Sequence, residues 1–122
     1  MELMEKATAT PVPPEQDLRR SPRYKVNLHV LVSALVQGAH KLIPAYGRNI
    51  GEGGMCVFVP AQLALGDLIE LSLRLPGMVD KVAFRARIRN VERFNYSIEF
   101  AALDERARQN ISASCRFLEG RQ

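Results

Sequence analysis

The chain has 122 residues, 47% of them hydrophobic, and a formal net charge of +4. This length and composition predict a single domain that can bury an apolar core of its own. The longest apolar tract, residues 28–36, is too short to span a membrane, and the first six residues lack the basic start and apolar core of a signal peptide. We therefore expect a cytoplasmic protein.

Residues 1–18 are rich in proline and poor in large apolar side chains. This composition is typical of a flexible tail. The tail carries four acidic residues and one lysine, whereas residues 19–25 carry four basic residues and no acid. The sequence thus predicts a tail over residues 1–18 and a folded domain over 19–122, with a basic segment at its start.

This basic segment contains Arg19, Arg20 and Arg23, with Pro22 just before the last of them. A guanidinium group is planar and can donate two parallel hydrogen bonds to a phosphate or to the O6 and N7 atoms of guanine. Pro22 disfavours helical backbone at Ser21, so the segment is expected to be extended. It indicates a site for a phosphate-bearing purine ligand, and a solvated charge cluster is the simpler alternative.

From Val26 onward, apolar and polar residues alternate in several short runs that turn signals separate. Six or so short strands with brief turns indicate a small antiparallel barrel or sandwich. After Leu103 the apolar residues recur at helical spacing, with Asp104 as a suitable N-cap and Gly120 as a suitable stop. We expect one C-terminal helix that packs over a mouth or flank of the barrel.

A second motif, Asn49-Ile50-Gly51-Glu52-Gly53-Gly54, lies between the second and third expected strands. Its glycines allow the backbone to approach a ligand closely, and an asparagine amide can both donate and accept hydrogen bonds. An ordinary glycine-rich hairpin or bulge is compatible with the same residues. The candidate ligand-binding residues are therefore Arg19, Arg20, Arg23, Asn49, Gly51 and Gly54.

Together the two motifs resemble those of the PilZ domain family, bacterial receptors for the second messenger cyclic di-GMP, which carry R-x-x-x-R followed by [D/N]-x-S-x-x-G. Arg19 and Arg23 match the first motif, and Asn49 and Gly54 match the second. The resemblance extends over residues 19–118, because residues 96–100 are similar to the family's late strand and residues 104–118 to its closing helix.

The resemblance implies a six-stranded antiparallel β-barrel that a C-terminal helix closes. It also implies a stand-alone receptor that binds cyclic di-GMP without transforming it. Ligand binding would order the N-terminal loop against the barrel and so present a new surface to a downstream protein partner, in the control of motility or biofilm formation.

One position departs from the family pattern, because Gly51 stands where the family has serine. Loss of one hydrogen bond to a polar ligand group costs about 1–3 kcal/mol, which corresponds to about tenfold or more in affinity. Restoring the serine is therefore expected to tighten binding. The same departure supports an alternative function, a PilZ-like module that has lost nucleotide binding and acts by protein contact alone.

A second alternative comes from Arg85, Arg87 and Arg89, which alternate along one expected strand. Such a row could bind RNA or single-stranded DNA with a salt-sensitive affinity. Alternating charges on the outer face of a strand are more often solvated or prevent edge pairing.

No pattern in the sequence indicates an enzyme or a metal site. His29 and His40 have no metal-ligand spacing to each other or to the cysteines, and no nucleophile is paired with a base. Cys56 falls in an expected strand and Cys115 on the apolar side of the expected helix, so we expect reduced, buried thiols.

Overall fold

The computed structural model describes residues 22–121. The predicted tail, together with Arg19 and Arg20, lies outside the described residues. The elements are β1 (Tyr24–Val36), β2 (Ala39–Ile50), β3 (Gly54–Phe58), β4 (Leu68–Arg74), β5 (Lys81–Glu92), β6 (Asn95–Ala101) and α1 (Glu105–Glu119).

The strands form a closed barrel in the order β1-β2-β3-β6-β5-β4, and every neighbouring pair is antiparallel. This confirms the predicted six-stranded antiparallel barrel with one C-terminal helix. Strand β2 extends beyond its predicted end and includes Asn49 and Ile50. The second motif therefore begins inside a strand, and its glycines form the short connection to β3.

Alternate side chains of each strand point into the barrel, as the period-two pattern predicted. Val32, Leu71 and Val57 come from three different strands, and all are fully buried in one continuous core. A fully buried side chain of this size contributes about 1.5–3 kcal/mol to stability. The interior is thus aliphatic, and polar chemistry is left to the outer surface of the barrel.

A buried tyrosine fixes the long connection between β3 and β4. The Tyr96 hydroxyl donates to the carbonyl oxygen of Ala61 at 2.7 Å and accepts from the backbone N–H of Leu63 at 3.0 Å. Tyr96 is only 1% exposed, so both bonds satisfy groups that burial would otherwise leave without a partner. This connection is therefore held against β6.

Helix α1 begins and ends at the predicted residues. Asp104 is the N-cap, and its Oδ1 accepts from the backbone N–H of Ala107 at 2.8 Å. Gly120 ends the helix with φ −70°, so the stop needs no left-handed residue. Ser114 donates to the carbonyl oxygen of Pro76 at 2.7 Å and ties the helix to the turn between β4 and β5. Within residues 22–121, no helix is long and apolar enough to cross a membrane.

A candidate ligand-binding face on the barrel

Three irregularities of strand pairing occur at one level of the barrel. Strand β1 shifts against β2 after Lys25, β2 shifts against β3 after Gly47, and β5 shifts against β6 after Ile88. An extra residue in one strand bends it and re-aims its side chains, and bulges of this kind are frequent beside functional sites. The level of the three shifts therefore marks the outer face on which a ligand site is expected.

A row of paired residues crosses five strands at this level. The pairing joins Lys25 to Asn49, Asn49 to Cys56, Cys56 to Ser97, and Ser97 to Asn90. The three central residues, Asn49, Cys56 and Ser97, are half-buried and have small side chains. They form a low polar surface, here termed the floor, that a flat ring could cover.

The bulge in β2 places two consecutive side chains on the outside. Gly47 and Ile50 are buried, whereas Arg48 is exposed and Asn49 is half-buried. In an unbroken strand one of these two neighbours would point into the core. The bulge of β5 likewise leaves two consecutive residues, Arg89 and Asn90, exposed, so an arginine stands on each side of the floor.

The first and second motifs meet at the edge of the floor. Arg23 Nη1 donates to Asn49 Oδ1 at 2.8 Å, and the bond is partly buried. Because the asparagine oxygen accepts this bond, the guanidinium group is held beside the floor. The structure thus brings together Arg23 and Asn49, which stand 26 positions apart in the sequence. Arg19 and Arg20, the other arginines of the motif, fall outside the described residues.

Gly51 lets the N-terminal segment approach the barrel. A Cβ atom at this position would lie 2.9 Å from the carbonyl oxygen of Pro22 and 3.1 Å from Cδ of Arg23. Contacts this short require a shift of the neighbouring atoms. A serine at position 51 would therefore have to displace the segment that carries Arg23, a cost that the sequence did not reveal.

Gly54 serves the contact between two strands. A Cβ atom here would lie well inside contact distance of the carbonyl oxygen of Ile98, whereas one at Gly53 would meet nothing within 4 Å. Gly54 also accepts a bond from the backbone N–H of Gly51 at 2.8 Å. Its absent side chain is required by the approach of β3 to β6, and this requirement holds whether or not a ligand binds.

Two arginines of the row on β5, Arg87 and Arg89, have different partners. Arg87 donates to the carbonyl oxygen of Gly66 at 2.8 Å, and Arg89 Nε forms an ion pair with Glu99 Oε1 at 2.6 Å. The ion pair is exposed and contributes at most about 1 kcal/mol. The predicted nucleic-acid surface is thus divided, with Arg87 held at a turn and Arg89 at the floor.

The two cysteines lie in different environments, and no disulfide joins them. Cys56 is half-buried in the floor, while Cys115 is 2% exposed. Burial, with a smaller contribution from Glu52, raises the pKa of Cys115 to about 11. Cys115 is therefore buried as predicted, but Cys56 is more accessible than predicted because its strand turns that residue outward. No group of three metal-ligating side chains occurs in the described part of the chain.

Sequence reasoning missed Arg48 and did not connect Cys56 and Ser97 with the ligand site. One signal was available, because Ala45 and Gly47 fit the inward alternation of β2 and the next large apolar residue is Ile50, three positions later. A step of three within a period-two pattern indicates one extra residue. The cross-strand partners of that residue, in contrast, depend on the closed barrel.

The described geometry agrees with comparisons against known proteins. The chain matches the family model of the PilZ domain over residues 17–117. No curated protein matches the sequence. Among solved structures, the inhibitor of motility MotI/DgrA from Bacillus subtilis has a TM-score of 0.68 at 17% identity, over 85% of this chain and 53% of that one. This chain therefore spans about half the length of that protein.

A second solved structure, the PilZ domain of CeSA from a cellulose-synthesizing bacterium, has a TM-score of 0.60 at 18% identity. The match covers 82% of this chain and 97% of that domain. At such identities the two structures show that the fold is shared. The family model covers most of the described residues and both motifs, and on that ground the chain belongs to the PilZ domain family.

Proposed function

We propose that this protein is a receptor that binds cyclic di-GMP at the floor of Asn49, Cys56 and Ser97 and does not transform it. PilZ domains are, as a family, receptors for this second messenger, although some members do not bind it. The observation that carries the proposal is the 2.8 Å hydrogen bond between Arg23 and Asn49. This bond joins the two motifs at the edge of the floor, where the side chains are small and leave room for a ligand.

The residues of the site would divide the recognition of the ligand. Arg19 and Arg23 would bind the guanine edges and the phosphates, with Arg20 assisting, because a planar guanidinium matches both groups. Asn49 would bond to a second base or to a ribose. Gly51 and Gly54 would allow the ligand and the N-terminal segment to lie close to the barrel.

The proposed signal is the ordering of the segment that carries the arginines. Three like charges within five residues repel one another, and an anionic ligand would relieve this repulsion. Only contacts that differ between the two arrangements of the segment can shift its population. The ordered segment would offer a new surface to a downstream protein partner in the cytoplasm, where control of motility or biofilm formation would follow.

Isothermal titration with cyclic di-GMP tests the proposal. The wild-type chain should bind saturably, and Arg23→Ala should lose at least about tenfold in affinity, since a charge-assisted bond to the ligand is removed. Arg106→Ala is the matched control, because it removes the same charge from an exposed position on α1. No heat at high micromolar ligand, from a chain shown to be folded by circular dichroism, would overturn the proposal.

A second candidate function is a PilZ module that acts through protein contact alone. Gly51 favours it, because the family's serine hydroxyl is absent and a Cβ atom has little room beside Pro22. In that case the titration stays silent while the fold is intact. The two candidates are therefore separated by a single experiment.

A further inference from the structure

We propose that Arg48 and Phe58 form a stacking subsite for a purine base of the ligand, beside the floor. This inference rests on the proposed function. It adds two side chains to the site, and neither of the two sequence motifs specifies them.

The Arg48 guanidinium group already lies over the Phe58 ring. Arg48 Cζ lies 5.8 Å from the centre of the Phe58 ring. Phe58 is supported in turn by Phe94, whose ring stands edge-on at a centroid distance of 6.5 Å and an angle of 76°. A guanidinium group over an aromatic ring is attracted to the ring face. This attraction favours a position of the exposed Arg48 guanidinium beside the Phe58 ring before any ligand arrives.

The subsite lies within reach of a base on the floor. Phe58 follows Cys56 by two residues on the same face of β3, which corresponds to about 6.6 Å. A purine ring system has about the same length, so a base stacked on the Arg48 guanidinium would extend as far as the floor at Cys56. The bulge of β2 places Arg48 directly beside Asn49 on the outside, so neighbouring residues offer a stacking plane and a hydrogen-bonding amide.

Charge distinguishes Arg48 from the arginine on the opposite side of the floor. Arg89 is paired with the Glu99 carboxylate at 2.6 Å, and that pair offsets its charge. Arg48 forms no ion pair within residues 22–121, and its guanidinium group contacts an uncharged ring. An anionic dinucleotide is therefore attracted more strongly to the Arg48 side, where stacking and charge act together.

Titrations with cyclic di-GMP on matched variants test the subsite. Arg48→Ala should weaken binding about tenfold, because stacking on one base is lost. Arg48→Lys keeps the charge without the planar group, so it should remain at least about fivefold weaker than wild type. Phe58→Leu removes the supporting ring and should weaken binding several-fold, whereas Arg106→Ala should bind as wild type does.

Each outcome has a definite meaning. Wild-type affinity in both Arg48 variants, together with loss of binding in Arg23→Ala, would overturn the subsite and leave the receptor proposal standing. Full rescue by Arg48→Lys would show a charge effect only and would also overturn stacking. A silent wild-type chain would overturn both proposals. Equal thermal unfolding midpoints for wild type and the Arg48 variants show that the affinity changes do not arise from misfolding.

Discussion

The barrel has two halves that share one core but differ in their outer surfaces. In the regular half, three strand pairs keep an unbroken register. Strand β1 pairs with β2 from Leu28 onward and with β4, and β4 pairs with β5. Its outer face carries exposed leucines at 31, 35 and 42. In the bulged half, the shifts in β2 and β5 surround the floor, and arginines flank it.

Strand β2 belongs to both halves of the barrel. Leu42 lies outside in the regular part, where alternation is maintained, and Arg48 and Asn49 lie outside together where alternation breaks. The interior is apolar throughout. The candidate site is therefore produced by extra residues in the strands, while the core that supports both halves is unchanged.

The largest effect is expected from Gly54→Ala in the bulged half. The added Cβ atom would collide with the backbone of Ile98, so β3 and β6 must move apart. We expect a loss of about 3 kcal/mol in the free energy of unfolding, or a fall of at least about 10 °C in the midpoint. Thermal and urea unfolding measure both quantities.

Gly53→Ala is the control for this substitution, because a Cβ atom there meets nothing within 4 Å. It should change the free energy of unfolding by less than about 1 kcal/mol. Equal stability of the two alanine variants would mean that the close approach of β3 and β6 is absent in solution.

The reactivity of the two thiols differs between the floor, which contains Cys56, and helix α1, which contains Cys115. The pKa of Cys115 rises from its ordinary value of 9.0 to about 11, which lowers its reactive thiolate fraction at pH 8 about a hundredfold. Iodoacetamide should therefore modify Cys56 first, and cyclic di-GMP should slow that reaction by covering the floor. Mass spectrometry of timed samples gives both rates.

In Cys56→Ser the fast reaction should disappear and the slow one remain. Comparable rates for both thiols in the native chain would contradict the burial of Cys115. An unchanged Cys56 rate at saturating ligand would place the ligand elsewhere on the barrel.

A smaller effect on ligand affinity is expected at Gly51. An alanine variant tests the steric effect of a Cβ atom alone, and a serine variant adds the effect of a hydroxyl group. Both add a Cβ atom beside Pro22 and Arg23, so Gly51→Ala should bind cyclic di-GMP several-fold more weakly than wild type. Gly51→Ser restores the family's hydroxyl and should bind about tenfold more tightly than the alanine variant. Titration calorimetry on the pair gives the difference, and equal affinities would show that the hydroxyl makes no contact with the ligand.

Much of the fold could be predicted from the sequence, because each strand buries alternate side chains and the period of two is visible in one dimension. Asp104 and Gly120 marked the ends of α1 because capping is a local property. The continuation of β2 through Asn49 was not predicted, since a glycine-rich segment resembles a turn until its pairing partners are known.

The candidate site was only partly predictable. Arg23 and Asn49 were named because a guanidinium group and an amide can both bind a purine ligand and because the family motifs contain both positions. The structure places them in contact. Arg48 was not named, because neither motif contains it and its place beside an outward-facing Asn49 results from a bulge that depends on the register of β2 against β3. The steric role of Gly51 was hidden as well, since Pro22 approaches it only in the folded chain.

The proposed binding site for cyclic di-GMP is the floor, in the bulged half of the barrel. The most direct test is a titration of the ¹⁵N-labelled chain with cyclic di-GMP, followed by two-dimensional NMR. We predict that the amide signals of Asn49, Cys56 and Ser97 shift most, and that those of Leu35 and Leu42 in the regular half stay in place. An unchanged spectrum at saturating ligand, or shifts confined to the regular half, would show that cyclic di-GMP does not bind at the floor.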